Sequence, residues 1–223
     1  NLAIMFSQDS GIKQDSSQAF FWFSKAAEQG DAQAQVILAD YYFQGKEVPQ
    51  NYNKVFELLH QAAKQVVMPA QLMIGSMYEE GAGVIQDDHQ AFVWYSKAAE
   101  QNSVDAQLKL GLLYYNGRGV TKNYKEAFNY FNLAAQQNNM DAEFLLGLMY
   151  ETGEGVPQDL GQAFAWYKKS AEKGKPEAQF ALGVMYGDGK SVPKNMTQAH
   201  EWYLKAAEQN HGFAQHNLGV FYK

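Results

Sequence analysis

Six positions, Ala19, Val55, Ala91, Ala127, Ala163 and Ala199, lie 36 residues apart without a slip. Few folds tolerate such a period. A unit of roughly 20–50 residues cannot bury a core alone, so successive units must stack and share one. Three residues after each of these positions comes Trp22, Leu58, Trp94, Tyr130, Trp166 or Trp202, followed directly by Phe23, Leu59, Tyr95, Phe131, Tyr167 or Tyr203. An alanine pair closes most copies, as at Ala26-Ala27, Ala62-Ala63, Ala98-Ala99, Ala134-Ala135 and Ala206-Ala207, with Ser170-Ala171 the variant.

Two helical patterns alternate within each period. In the first, helix A, Ala142, Leu146, Gly147 and Tyr150 fall on one helix face. Gly147 recurs as Gly75, Gly111, Gly183 and Gly219, with Ala39 in the first copy. A helical glycine costs roughly 1 kcal/mol relative to alanine, so its recurrence implies close approach of a neighbouring helix. The series Ala34, Ala70, Ala106, Ala142, Ala178 and Ala214 meets the same demand for small contact residues. Helix A is expected to stop at Gly45, Gly81, Gly117, Gly153 and Gly189 as left-handed caps. In the loop that follows, Val48, Val84, Val120, Val156 and Val192 recur in register as apolar plugs. Asp15, Asn51, Asp87, Asn123, Asp159 and Asn195 then suit the N-cap of the second helix, helix B. Helix B ends at Gly30, Asn102, Asn138, Gly174 and Asn210, residue types that tolerate the left-handed conformation. Val66 breaks that series, which implies either strain or a different turn there, with Val67 and Met68 as exposed apolar surface.

These patterns define an all-α chain of tandem 36-residue helix-loop-helix repeats, forming a single solenoid over 1–223. Full repeats span 31–66, 67–102, 103–138, 139–174 and 175–210, between partial repeats at 1–30 and 211–223. Leu2, Met5, Phe6, Gly11 and Ile12 are in register with the end of a further A helix, giving six B helices and seven A helices. Apolar residues at both incomplete ends, such as Ile4, Val220 and Phe221, predict end-to-end self-association.

The pattern A-x3-LG-x-MY-x2-G-x-GV-x2-D-x3-A-x2-WY-x-KAAEQG resembles the Sel-one-like repeat (SLR) family, a relative of the tetratricopeptide repeats. "KAAEQ" stands verbatim at Lys25, Lys97 and Lys205. The tetratricopeptide period is about 34 residues, which the spacing here does not match. The resemblance implies a right-handed α-superhelix, A helices lining a concave surface and B helices forming the back. It also implies a non-catalytic adaptor or scaffold rather than an enzyme, of the kind found in quality control, signalling, and bacterial envelope or host-interaction pathways. A periplasmic or secreted bacterial setting fits that kinship, and a cytoplasmic one is compatible with it. Some bacterial relatives with a cysteine pair in each repeat are linked to β-lactam binding, and this chain has no cysteine. A small-ligand, glycan or β-lactam binder or hydrolase is the alternative reading.

Residue chemistry favours the scaffold. The net charge of −6 argues against nucleic acid, which needs a basic face, and no apolar run reaches the length of a membrane span. The five histidines show no metal-ligand spacing, Asp87-Asp88-His89 reads as a solvated helix start, and no metal or cofactor is expected. The glycine pairs of "GEGVPQ" and "GRGV" lack the strand and the Lys-Ser/Thr of a phosphate loop. The Trp and Tyr series of helix B is expected to be core.

Partner contacts are therefore expected at A-helix positions that vary between copies. By analogy with tetratricopeptide geometry these are Asp40 and Phe43; Ser76, Glu79 and Glu80; Asp105, Leu108, Leu112, Tyr115 and Asn116; Asp141, Phe144, Leu148, Glu151 and Thr152; and Glu177, Phe180, Val184, Gly187 and Asp188. Carboxylates among apolar groups suit a protein or peptide with apolar anchors and basic neighbours. The competing possibility is that Leu108, Phe144 and Phe180 pack between A helices.

Overall fold

The computed structural model describes residues 15–222. The N-terminal remnant expected from Leu2 to Ile12 lies outside the described residues, as does Lys223. Twelve α-helices and no strand occur among the described residues. They are α1 (Ser16–Glu28), α2 (Ala32–Gln44), α3 (Tyr52–Lys64), α4 (Met68–Glu80), α5 (Asp88–Glu100), α6 (Val104–Asn116), α7 (Tyr124–Gln136), α8 (Met140–Thr152), α9 (Leu160–Glu172), α10 (Pro176–Asp188), α11 (Met196–Glu208) and α12 (Gly212–Phe221). Odd-numbered helices are B helices and even-numbered ones A helices, so the alternation read from the sequence is the alternation observed.

The helix boundaries have the causes the sequence suggested. Asp15, Asn51, Asp87, Asn123, Asp159 and Asn195 are N-caps whose side-chain oxygens accept from backbone N–H groups of the first turn. Gly45, Gly81, Gly117, Gly153 and Gly189 close the A helices at φ between +67° and +79°. Gly30, Asn102, Asn138, Gly174 and Asn210 end the B helices, also at positive φ. Val66 joins them at φ +61°. The turn there is thus the ordinary left-handed one, carried by a β-branched residue, and the alternative turn does not form. The exposed side chain is that of Val66 itself, whereas Val67 packs against the core and Met68 is half-buried.

The described residues fall into two compact units, one running to Ala106 and including Arg118–Val120, the other comprising Gln107–Gly117 and the residues from Thr121 on. In the first, α2 packs on α1 and α3, and α4 on α3 and α5; in the second, α8 packs on α7 and α9, α10 on α9 and α11, and α12 on α11. The tightest pairing joins the A helices α2, α4, α8 and α10 to the B helix that follows each.

After the first copy, which has Ala39, its cause is the recurring glycine. A Cβ built on Gly75 would meet the Tyr95 ring at 2.5 Å, and Gly147 and Gly183 would meet Tyr167 and Tyr203 at the same distance. Gly111 would meet Phe131 at 2.4 Å. All four rings are buried, together with Phe23 and Leu59 of the same series. The preceding aromatic series departs from the expected core role. Leu58 and Trp94 are buried, but Trp22 is exposed, and Tyr130, Trp166 and Trp202 are half-buried. Lys97, Lys169 and Lys205 lie 4.0, 4.0 and 4.1 Å from the ring centroids of Trp94, Trp166 and Trp202. These indoles form a rim between the core and the lysine-bearing surface. The loop valines are half-buried, and Val84 packs against the core as a plug.

Candidate functional site

The glycine seat also places the polar groups of the A-helix face. With its ring laid across Gly75, Tyr95 brings its hydroxyl one helical turn further on, where it donates to Glu79 at 2.7 Å. Tyr167 does the same across Gly147, donating to Glu151. Where the seat takes Phe131, with no hydroxyl, the residue one turn on is Tyr115, which packs against that ring. Where Tyr203 meets Gly187 rather than an acid, its hydroxyl is bonded to Asn217. Glu79 and Glu151 thus stand where a buried ring delivers a phenol to them. Burial and the adjacent carboxylate raise the pKa of Tyr95 and Tyr167, which keeps each phenol a proton donor.

In the second unit this arrangement extends into an aromatic and acidic patch. Tyr115 donates to Glu154 and stands edge-on to Tyr124 with centroids 5.1 Å apart. Phe144 packs on Tyr167 at 5.6 Å. Hydrogen bonds from Tyr115, then Tyr124 and Thr152, hold the Glu154 pKa below the usual carboxylate value despite some desolvation. Phenols are neutral donors that orient Glu151 and Glu154, and Lys122 adds a weaker charge interaction at Glu154.

Other candidate acids have cations at hand. Lys175 bridges Asp141 at 2.7 Å and Glu177 at 3.2 Å. Burial alone would lower the Lys175 pKa, but the two carboxylates hold it above the usual lysine value. In the first unit Arg118, the chain's single arginine, binds Asp88 through both terminal oxygens at 2.7 and 3.0 Å and reaches Glu79 at 3.3 Å. His89 faces the Gly119 carbonyl, so Asp87-Asp88-His89 is a cap and a clamp. No group of acidic and histidine residues able to hold a metal ion occurs among the described residues.

None of the anticipated A-helix positions is buried. Asp40, Phe43, Glu80, Asp105, Asn116, Thr152 and Asp188 are exposed; Ser76, Glu79, Leu108, Leu112, Tyr115, Asp141, Leu148, Glu151, Glu177, Val184 and Gly187 are half-buried. Phe144 and Phe180 are half-buried as well, and both serve internal packing, Phe180 lying on Tyr203 at 5.7 Å and on His211 at 4.8 Å. Asn116 and Thr152 spend their side chains on carbonyls of their own helices. The structure brings Tyr115, Phe144, Glu151 and Thr152 into the second-unit patch and Ser76 and Glu79 together at Tyr95.

One set of residues escaped the sequence reading. Gln35, Gln71, Gln107, Glu143 and Gln179 recur at the repeat spacing and are buried. Gln71, Gln107 and Gln179 accept hydrogen bonds from Gln101, Gln137 and Gln209, the C-cap residues of the following B helices. Their period was the available signal, masked by a polar identity that suggests solvent.

The fold is that of a helical-repeat solenoid. The Sel1 repeat family matches residues 1–31, 32–66, 69–103, 104–139, 141–175 and 176–211, and the chain belongs to that family. Proteins of this family are generally protein-interaction scaffolds. A protective antigen of uropathogenic Escherichia coli strains that displays an SLR fold is 35% identical over 99% of the chain, with a TM-score of 0.93. The chain spans 47% of that antigen's length. A Sel1 repeat protein from Oxalobacter formigenes is 32% identical, with a TM-score of 0.82, over 93% of this chain and 85% of its own. No match was found among curated proteins.

Proposed function

We propose that this protein is a non-catalytic scaffold that binds a protein or peptide partner on its A-helix faces, and that the second-unit patch is the principal contact. The observation that carries this reading is the pair of carboxylates, Glu151 and Glu154, oriented by tyrosine hydroxyls beside Phe144 and Tyr115, with Lys122 acting on Glu154 only as the weakest of its partners. Such groups are already oriented, so they lose little freedom when a partner's lysine or arginine arrives. Leu148 and Leu112 add half-buried aliphatic surface. In the first unit, Ser76, Glu79 and Glu80 offer a lesser acidic contact, since Arg118 already reaches Glu79.

The test is fluorescence anisotropy with a panel of amphipathic peptides in which Lys/Arg and Asp/Glu are exchanged at constant hydrophobicity. Basic peptides should bind, and Glu151→Gln with Glu154→Gln should weaken them roughly 10-fold or more. Asp141→Asn, at an acid already paired with Lys175, should change little. Equal binding of acidic and basic peptides would overturn the assignment.

A further inference from the structure

The buried polar column contains one departure that leaves a hydrogen-bond seat open. In this column Gln179 uses both ends of its amide, while Gln35 uses its N–H groups and leaves its Oε1 without a partner. Gln179 accepts from Gln209 at 2.9 Å and sends its own N–H to the Ala171 carbonyl, eight residues back, at 3.2 Å. Gln35 makes the equivalent donation to Ala27 at 3.4 Å. Glu143 retains the first contact, with Lys173 replacing the C-cap amide at 2.6 Å. A carboxylate has no N–H to return to Ala135, the carbonyl at the equivalent position. The Glu143 residue is 3% exposed, and its Oε2 has no partner. A buried acceptor left in this way is costly, and a donor brought to it is correspondingly well held.

A cleft of about 480 Å³ opens at this point, within the size range of small-molecule sites. Ala135, Asn138, Glu143, Trp166, Lys169 and Lys173 line it. Lys173 is engaged by Glu143, and Glu172, also at the cleft, has Lys168 at 3.9 Å. Lys169 instead sits 4.0 Å over the Trp166 ring. The cleft therefore combines an acceptor lacking a donor, a cation resting on an aromatic face, and an indole wall. We propose that it binds a small zwitterion of amino-acid or dipeptide size, with its ammonium at Glu143 Oε2 and the Ala135 carbonyl, its carboxylate at Lys169 and its side chain against Trp166.

Calorimetric titration of the whole chain with L-phenylalanine and L-alanyl-L-phenylalanine tests this. At least one should bind, and N-acetylation, which removes the ammonium, should weaken that ligand roughly 10- to 100-fold. Glu143→Gln supplies the missing N–H from within the chain and should abolish binding while melting no lower than the parent protein. Lys169→Ala should weaken the free acid but not its C-terminal amide. Failure of both probes to bind at millimolar concentration would overturn the proposal, as would undiminished binding by Glu143→Gln.

Discussion

At Gly147 the geometry of a whole repeat depends on one missing methyl group, because an added Cβ would lie 2.5 Å from the Tyr167 ring. That ring is fully buried and cannot move aside without disturbing its bond to Glu151. Gly147→Ala should therefore destabilise the protein by roughly 1–3 kcal/mol through overpacking. Gly219 belongs to the same sequence series but has no heavy atom within 4 Å of the added Cβ. Gly219→Ala should instead gain roughly 0.5–1 kcal/mol from helix propensity. Urea denaturation of the two variants tests this account, and the same sign of change in both would defeat it. A second residue-scale prediction concerns Glu154, whose pKa is depressed in the folded chain by Tyr115 first and Tyr124 second. A depressed acid contributes stability above its unfolded value that is lost as pH falls through its folded value. Acid unfolding should thus steepen below the ordinary glutamate range. In Tyr115→Phe, which removes the main donor, the folded value rises toward the unfolded one, so the loss should be smaller and complete at higher pH. Superimposable acid-melting curves for the two proteins would refute it.

At the scale of the element, much was legible in the sequence because backbone requirements leave few residue choices. The caps at Asp87 and Gly153 could be placed from their types and spacing, and both hold. The seat could be inferred from Gly147, and the first copy supports it: Ala39 replaces the glycine where Leu59 replaces the ring. Side-chain reach was not legible. Nothing in the spacing reveals that Lys175 serves both Asp141 and Glu177, or that Arg118 spans from its loop to Asp88 and Glu79. Such pairings depend on rotamers and interhelical distance. The buried glutamine column was overlooked for a related reason, since its burial follows from the width of the helix contact. Val66 supplies the element-scale prediction. It takes φ +61° at the turn between α3 and α4, where the corresponding B-helix ends use Gly or Asn, and it is 61% exposed. A side chain in that region costs roughly 1–2 kcal/mol, less for asparagine. Val66→Asn should raise stability by about 1 kcal/mol, whereas Asn138→Val should lower it by a similar amount. Equal midpoints in chemical denaturation would show that the turn tolerates the β-branched residue.

At the scale of the whole molecule, the repeat construction determines how damage spreads. The core is a succession of local clusters in which a helix packs chiefly on its neighbours in sequence. In such a chain, stability is approximately a sum of repeat terms and nearest-neighbour interfaces, so a lesion should be felt next door and fade with distance. Gly147→Ala strikes the contact between α8 and α9. Under native conditions its amide hydrogens should exchange faster throughout α8 and α9 and, to a smaller degree, in α7 and α10. The amides of α2 to α4 should exchange at the parent rate, because coupling between repeats fades with separation along the chain. A mass-spectrometric exchange experiment resolves these helices separately. A uniform loss of protection across all of them would mean that the chain opens only as one cooperative block.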